Sequence, residues 1–299
     1  MPSVTEPSQE DVQSLLKGIK IPSPPQVIAD LQMEMFDPEP NLNSIANIIS
    51  TDPGLSGGIL KAANSPAFTT GHRITTVREA VMLLGIQTVD MIVNTLCMRN
   101  EFESDNVSNE VKEFMSRFWD SCSDIATISA IVAEKAGVED LRDDAYLIGL
   151  FQNAGIALLM IRFDNYIEVI KKSYAQKDQR IVDIENDMLD TNHAVIGYYV
   201  AKSWKLPTYV GTAVAKHHTL KGLFSSSSED EKVKTLIAIV KVAEHLAGFY
   251  KLNAQQAQNY EWEEMGEEVM TFLGMTQDDL DDLASQLVEQ GLGCGEFYY

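Results

Sequence analysis

Cysteine is scarce in this chain, with three residues (Cys97, Cys122 and Cys294) spread far apart. An odd, widely spaced set makes no disulfide framework, which fits a reducing compartment. Basic residues are also few, with 23 Lys and Arg against 44 Asp and Glu and a formal net charge of -21. Phosphate backbones and anionic lipid surfaces are bound by clustered Lys and Arg, so this balance argues against direct nucleic-acid binding and against a membrane surface. No stretch approaches the ~20 consecutive apolar residues of a membrane span. The opening segment MPSVTEPSQEDVQ lacks the basic and apolar regions of a signal peptide, and a cytoplasmic location is the expectation. Neither G-x-x-x-x-G-K nor G-x-G-x-x-G occurs, which removes the common phosphate-cradling loops, and Gly54-Leu-Ser-Gly-Gly58 matches the letters of G-x-S-x-G only in a helix-forming context, without the strand-turn-helix setting of a nucleophile elbow. Strand alternation and internal repeats are missing as well.

What remains is helix, from end to end. Val27, Ile28, Leu31 and Met35 recur at three-and-four spacing after Pro24-Pro25, and Leu42, Ile45, Ala46 and Ile49 follow the same rule. Asp52-Pro53 pairs a capping carboxylate with a proline whose φ suits a first helical residue, so a helix starts there and carries Gly54, Gly57 and Gly58. Thr76-Val-Arg-Glu79 reads as a capping box before a long apolar helix that Gly85 is expected to bend. The charged stretch 100–109 marks the expected boundary between two helical subdomains. Beyond it, helices are expected over about 118–136 and from a cap at Asp143 or Asp144 through Gln152 and Asn153 to Leu159. Others follow over 166–174, 181–188, 193–204, 208–217, 232–250, 263–273 and 278–290. Trp119 and Trp204 sit at helical spacing among apolar neighbours and read as core. The fold class is all-α.

Two features have chemistry. From Leu252 onward there are eleven Asp and Glu and no Lys or Arg. This acidic end is either a solvated face or a docking surface for a basic protein partner. The five histidines are His72, His193, His217, His218 and His245. Neighbours on a helix point about 100° apart, so His217 and His218 can share one site only near a helix end, which Thr219 to Gly222 supplies. Histidine is a common transition-metal ligand, yet a His-His pair is equally at home capping a helix terminus. His72-Arg73 is a loop pair able to meet an anion.

The N-terminal half reads Ile21-Pro-Ser-Pro-Pro-Gln-Val27, Ile48-Ile-Ser-Thr-Asp-Pro-Gly-Leu55, Leu60-Lys-Ala-Ala-Asn-Ser65 and Thr75-Thr-Val-Arg-Glu-Ala-Val-Met-Leu-Leu-Gly85. That ordered series resembles the HDOD family, a regulatory relative of the HD and HD-GYP metal-dependent phosphohydrolases, over about 21–248. The resemblance implies an N-terminal helical bundle (21–104, after an extension 1–20) packed on a degenerate HD-like helical subdomain (105–251), with an acidic helical tail (252–299). In catalytic relatives a histidine near a tryptophan, a His-Asp dyad, an H-x-x-x-G segment, an H-H pair and a late Asp hold the metals. Matched residue by residue, Ser121 stands at the first histidine and Gln152 and Asn153 stand on the dyad. Glu244 takes the late Asp, while His193, His217 and His218 agree with the pattern.

The physics of those replacements sets the functional expectation. A binuclear centre needs an anionic carboxylate to bridge two divalent ions and activate a water between them. Asn153 keeps the shape of Asp without its charge, and Gln152 offers an amide where an imidazole belongs. The implied protein is therefore a non-enzymatic regulatory or signal-transduction module without a cofactor, working through protein contacts or a small-ligand pocket. Two alternatives stay open: a residual mononuclear metal-dependent phosphohydrolase, and a nucleotide sensor. His193, His217, His218 and Glu244 could bind a single Zn or Ni ion if they converge. Otherwise the Gln-Asn pair is expected to hydrogen-bond to the histidines. The partner, pathway and oligomeric state are not specified by these residues.

Overall fold

The computed structural model describes residues 16, 18–21, 25–35, 37–65, 68, 73–101 and 107–292. His72 and Cys294 lie outside them, as does most of 1–20. Among the described residues there is helix and no strand.

The first group is α1 (Gln26–Met35), α2 (Leu42–Ser50), α3 (Pro53–Ala63) and α4 (Val77–Glu101). The local signals act as chemistry dictates. Asn41 caps α2 from Asn43 N, and Asp52 caps α3 through the amides of Gly54 and Leu55 at 2.7 and 3.0 Å. Thr76 Oγ1 accepts from Glu79 N while Glu79 Oε2 accepts from Thr76 N, completing the capping box. Gly85 has φ 77° and ψ 165°, so α4 is two helical pieces meeting at a bend that favours glycine. Both α2 and α3 pack on α4. The α3 crossing is close: a Cβ on Gly58 would lie 2.2 Å from Leu96 Cδ1. Asn64 does more than end α3. Its amide donates to Leu60 O and Ile74 O, and its Oδ1 accepts from Ile74 N, so it staples the helix end to the segment leading to α4.

The second group begins at Ser108, which caps α5 (Asn109–Lys135), a longer helix than the pattern suggested. A 3-10 turn (Glu139–Leu141) leads to α6 (Arg142–Phe151), then α7 (Ala154–Arg162), α8 (Tyr166–Tyr174), α9 (Ile181–Leu189), α10 (His193–Ser203) and α11 (Thr208–Lys216). α12 (Glu231–Ala247), α13 (Phe249–Leu252), α14 (Tyr260–Leu273) and α15 (Gln277–Glu289) complete the chain. α5 packs on α6 and α12, α10 on α7 and α11, and α14 on α12. Trp119 and Trp204 are buried, as are the free thiols Cys97 and Cys122.

Three expectations need correction. Asp143 and Asp144 do not cap: α6 follows the 3-10 turn with Leu141 at its cap position and no side-chain bond there. Instead Thr88 donates to Asp143, while Tyr209 and Lys232 both reach Asp144, tying α6 to α4, α11 and α12. Secondly, no single helix runs through Gln152 and Asn153, which form the turn between α6 and α7. Thirdly, the stretch Glu139–Arg162 does contain a window long and apolar enough by composition to cross a membrane, but 89% of it is buried inside the fold, as a core segment is. The acidic end is likewise integrated, since Met265, Val269, Leu280, Leu283 and Leu287 join the core and Asp279 pairs with Lys135.

Candidate functional site

The site forms where α7, α10 and α11 approach each other. Asn192 Oδ1 accepts from Val195 N and starts α10 at His193. Small residues allow the approach. A Cβ on Gly155 would sit 2.0 Å from His193 O, and one on Gly197 would sit 2.8 Å from Val214 Cγ1. At the other side His217 ends α11 as its cap residue and His218 begins the following turn, which lets both rings face inward. All three histidines are buried, and one ring nitrogen of each lies within 4.8 Å of the others.

Hydrogen-bond partners indicate which nitrogen carries the proton where the partner is a carboxylate or carbonyl alone, since these can only accept. His193 Nδ1 faces Glu185 Oε2 at 2.7 Å, His217 Nδ1 faces Val214 O at 2.7 Å, and His218 Nδ1 faces Glu261 Oε1 at 2.8 Å. Nδ1 of His193 and of His217 is therefore an N–H, while His218 Nδ1 lies within reach of an acceptor, Glu261, and of a donor, Lys241 Nζ. The Nε2 atoms of His193 and His217 then confront one another at 3.2 Å, and His218 Nε2 has no hydrogen-bond partner. Burial, with the neighbouring imidazoles and Lys241, holds His217 and His218 well below the usual histidine pKa, so both rings stay neutral.

Glu185 anchors this arrangement. Fully buried on α9, it also accepts from the His193 backbone N–H at 2.9 Å and from Tyr166 Oη at 2.5 Å. Behind His218 lies a second charged group. Lys241 Nζ donates to Glu244 Oε2 at 2.8 Å and Glu261 Oε2 at 2.7 Å, and sits 3.3 Å from His218 Nδ1. Burial alone would lower the Lys241 pKa, but the two carboxylates outweigh it and raise it, so the ammonium is a fixed internal cation.

The degenerate positions behave differently from the expectation. Gln152 is fully buried with neither amide atom hydrogen-bonded, and Asn153 donates to Glu244 Oε1 at 3.5 Å. Neither bonds to the histidines. Ser121 donates to Arg117 O and accepts from Asn253 Nδ2 at 2.9 Å, closing the first-histidine position with a polar pair. Glu244 does not join the three histidines as a ligand: Lys241, Asn153 and Tyr174 Oη occupy its oxygens.

The reading of the sequence missed Glu185, Lys241 and Glu261. A signal existed for the first two. Glu185 lies on the face of α9 defined by Ile181, Ile184 and Leu189, and Lys241 interrupts the run Ile239-Val-Lys-Val-Ala243; a charge at a core register is paired or functional. Glu261, in the first turn of α14, was one acid among many.

A cleft of about 240 Å³ reaches this site from the surface, lined among others by Tyr174, Lys177, Arg180, His218, Lys221 and Glu261. Of the three histidines only His218 lines it.

The comparisons agree on the architecture. An uncharacterized protein of Treponema pallidum is 25% identical over 223 residues, covering 75% of this chain; the match spans 41% of that relative's length. A solved HDOD domain protein of unknown function from Geobacter sulfurreducens superposes with a TM-score of 0.66 at 18% identity, covering 93% of this chain and 92% of the other. A Shewanella amazonensis protein named a candidate phosphohydrolase gives 0.64 at 21% identity over 93% and 95%. A Marinobacter aquaeolei protein named a candidate signal transduction protein gives 0.63 at 17% over 92% and 58%. At these identities the likenesses establish the fold. The HDOD domain model matches residues 21–220, stopping short of the 248 at which the motif resemblance ended, and with two thirds of its length so matched the chain belongs to the HDOD family.

Proposed function

We propose that this chain is a non-catalytic regulatory module that works through protein contacts or a small ligand, and that it does not hydrolyse phosphodiesters. One observation carries the reading. The position that would bridge two metal ions is Asn153, and the neighbouring carboxylate, Glu244, already has its cation in Lys241. A second divalent ion would have to displace a buried ammonium and then be held by a neutral amide. Without two ions there is no bridging hydroxide to attack phosphorus.

The cleft favours a small ligand over a cyclic dinucleotide. Its volume of about 240 Å³ falls below the ~300–1,000 Å³ of pockets for drug-sized molecules. That size suits a small anion or one inserted side chain from a partner. The relatives named for phosphohydrolase and signalling roles supply context for both branches of this family, and the Lys241–Glu244 pair favours the second.

The test is hydrolysis of bis(p-nitrophenyl) phosphate and of cyclic dinucleotides with Mn²⁺, Fe²⁺, Ni²⁺ or Zn²⁺ supplied in turn. The expected rate equals that of buffer with metal alone. Turnover above that rate which disappears in His217→Ala would overturn the reading.

A further inference from the structure

The surface cleft has walls of opposite sign. One wall comes from the α8–α9 connection and the turn after α11, within a stretch (171–221) that carries eight Lys and Arg against five Asp and Glu. The other is the start of α14, in the end region with eleven Asp and Glu and no Lys or Arg. Some of the lining charges are already spent. Arg180 forks onto Asp183 at 2.8 and 2.6 Å and reaches Thr219 Oγ1 at 3.2 Å, which fastens the two parts of the basic wall together. Glu261 accepts from Lys241 and faces His218 Nδ1. Four charges remain. Lys177, Asp178, Lys221 and Glu264 are exposed and make no side-chain hydrogen bond or ion pair among the described residues. Deeper in, Ile181, Leu220 and Met265 line the cleft and are buried.

A ligand must therefore suit a rim of two unpaired cations and two unpaired carboxylates around an apolar floor. A plain anion would meet Glu264 and Asp178, and a plain cation would meet Lys177 and Lys221. A ligand with one charge of each sign finds an opposite partner for both. At about 240 Å³, roughly eight times the ~30 Å³ share of a water in the liquid, the cleft holds about 8–10 non-hydrogen atoms. We propose that it binds a free α-amino acid with an apolar side chain. Lys177 and Lys221 receive the carboxylate, and Glu264 and Asp178 are the carboxylates available to the ammonium. The side chain displaces water from Ile181, Leu220 and Met265. Arg180 is a positioning residue: its bonds to Asp183 and Thr219 set the basic wall, and its own donors are engaged.

This inference rests on the small-ligand branch of the regulatory reading and gives that ligand its chemistry. Isothermal titration calorimetry on the full chain, without added metal, tests it with L-leucine, L-isoleucine, L-methionine and L-phenylalanine. The expected result is saturable binding of at least one of them at one equivalent per chain. The deaminated acid, the decarboxylated amine and the N-acetyl amide of that amino acid should each bind at least ~10-fold more weakly, because each lacks a charged hydrogen-bonding group. Lys221→Gln should weaken the amino acid by ~3–10-fold and spare the amine, while Glu264→Gln should weaken the amino acid as much and spare the deaminated acid. A merely structural role would not sort the analogues by charge. No saturable binding of the four amino acids up to ~10 mM, or equal binding of the deaminated acid, overturns the inference. So does tighter binding of inorganic phosphate, or of the N-acetyl amide, which would mark the cleft as a seat for a partner's side chain. Binding without hydrolysis upholds both proposals, and neither binding nor hydrolysis overturns the cleft assignment alone. Hydrolysis overturns the regulatory reading, and the calorimetry still decides the cleft.

Discussion

Replacing Lys241 by methionine removes a cation bonded to both Glu244 and Glu261 while keeping most of the side-chain volume. In the native protein the ammonium is 4% exposed and lies 2.8 and 2.7 Å from carboxylates that are 6% and 20% exposed. Breaking a buried pair by deleting one partner costs ~3–5 kcal/mol, because the charge left behind stays desolvated. Glu261 is exposed enough to turn toward water, so Glu244 carries most of that cost. At ~2–4 °C per kcal/mol for a chain of this size, the melting temperature should fall by roughly 6–20 °C at pH 7.5. A second substitution separates this from a packing effect. The double change Lys241→Met with Glu244→Gln removes the stranded charge and should recover part of the loss at pH 7.5. Urea unfolding followed by circular dichroism measures both variants. A deficit below about 1 kcal/mol, or no recovery in the double variant, would refute the buried triad as an energetic unit.

Gly155→Ala places a Cβ 2.0 Å from His193 O, against backbone that cannot move alone. It should destabilise by ~1–3 kcal/mol or more in urea unfolding, whereas Gly57→Ala, with nothing within 4 Å, should not. Burial pushes the Asp90 carboxyl up to about 6 despite a hydrogen bond from Asn94. Its folded pKa exceeds the ordinary aspartate value of 3.8, so its favourable contribution is complete below about pH 4 and lost as pH rises through 6. Asp90→Asn should therefore stabilise by ~1–3 kcal/mol above pH 6 and by nothing at pH 4, read from melting temperatures at the two pH values. Asn64→Ala strips bonds from Leu60 O and from both backbone groups of Ile74. The expected loss is ~1–3 kcal/mol, with hydrogen exchange at Ile74 accelerated more than at Val214.

The sequence by itself determined the helices and their ends wherever the deciding interaction is local. Asp52, Thr76 with Glu79, and Gly85 act within a few residues of themselves, and each did as its chemistry requires. The motif order likewise carried the family, and the three histidines could be picked out as a group. What it could not determine was what surrounds them. The carboxylates on the histidines come from Glu185 and Glu261, 8 and 43 residues away in the chain, and Lys241 is set between helices α12 and α14. Those pairings depend on how α9, α12 and α14 pack, which no local rule encodes. The same holds for Gln152 and Asn153: their identities could be read, but not that they break a helix and leave the histidines alone. Only the tertiary structure decided that Glu244 is already paired with the cation of Lys241 while His193 Nε2 and His217 Nε2 face one another at 3.2 Å. The physical reason is that charge is balanced in space, between neighbours that the chain keeps far apart.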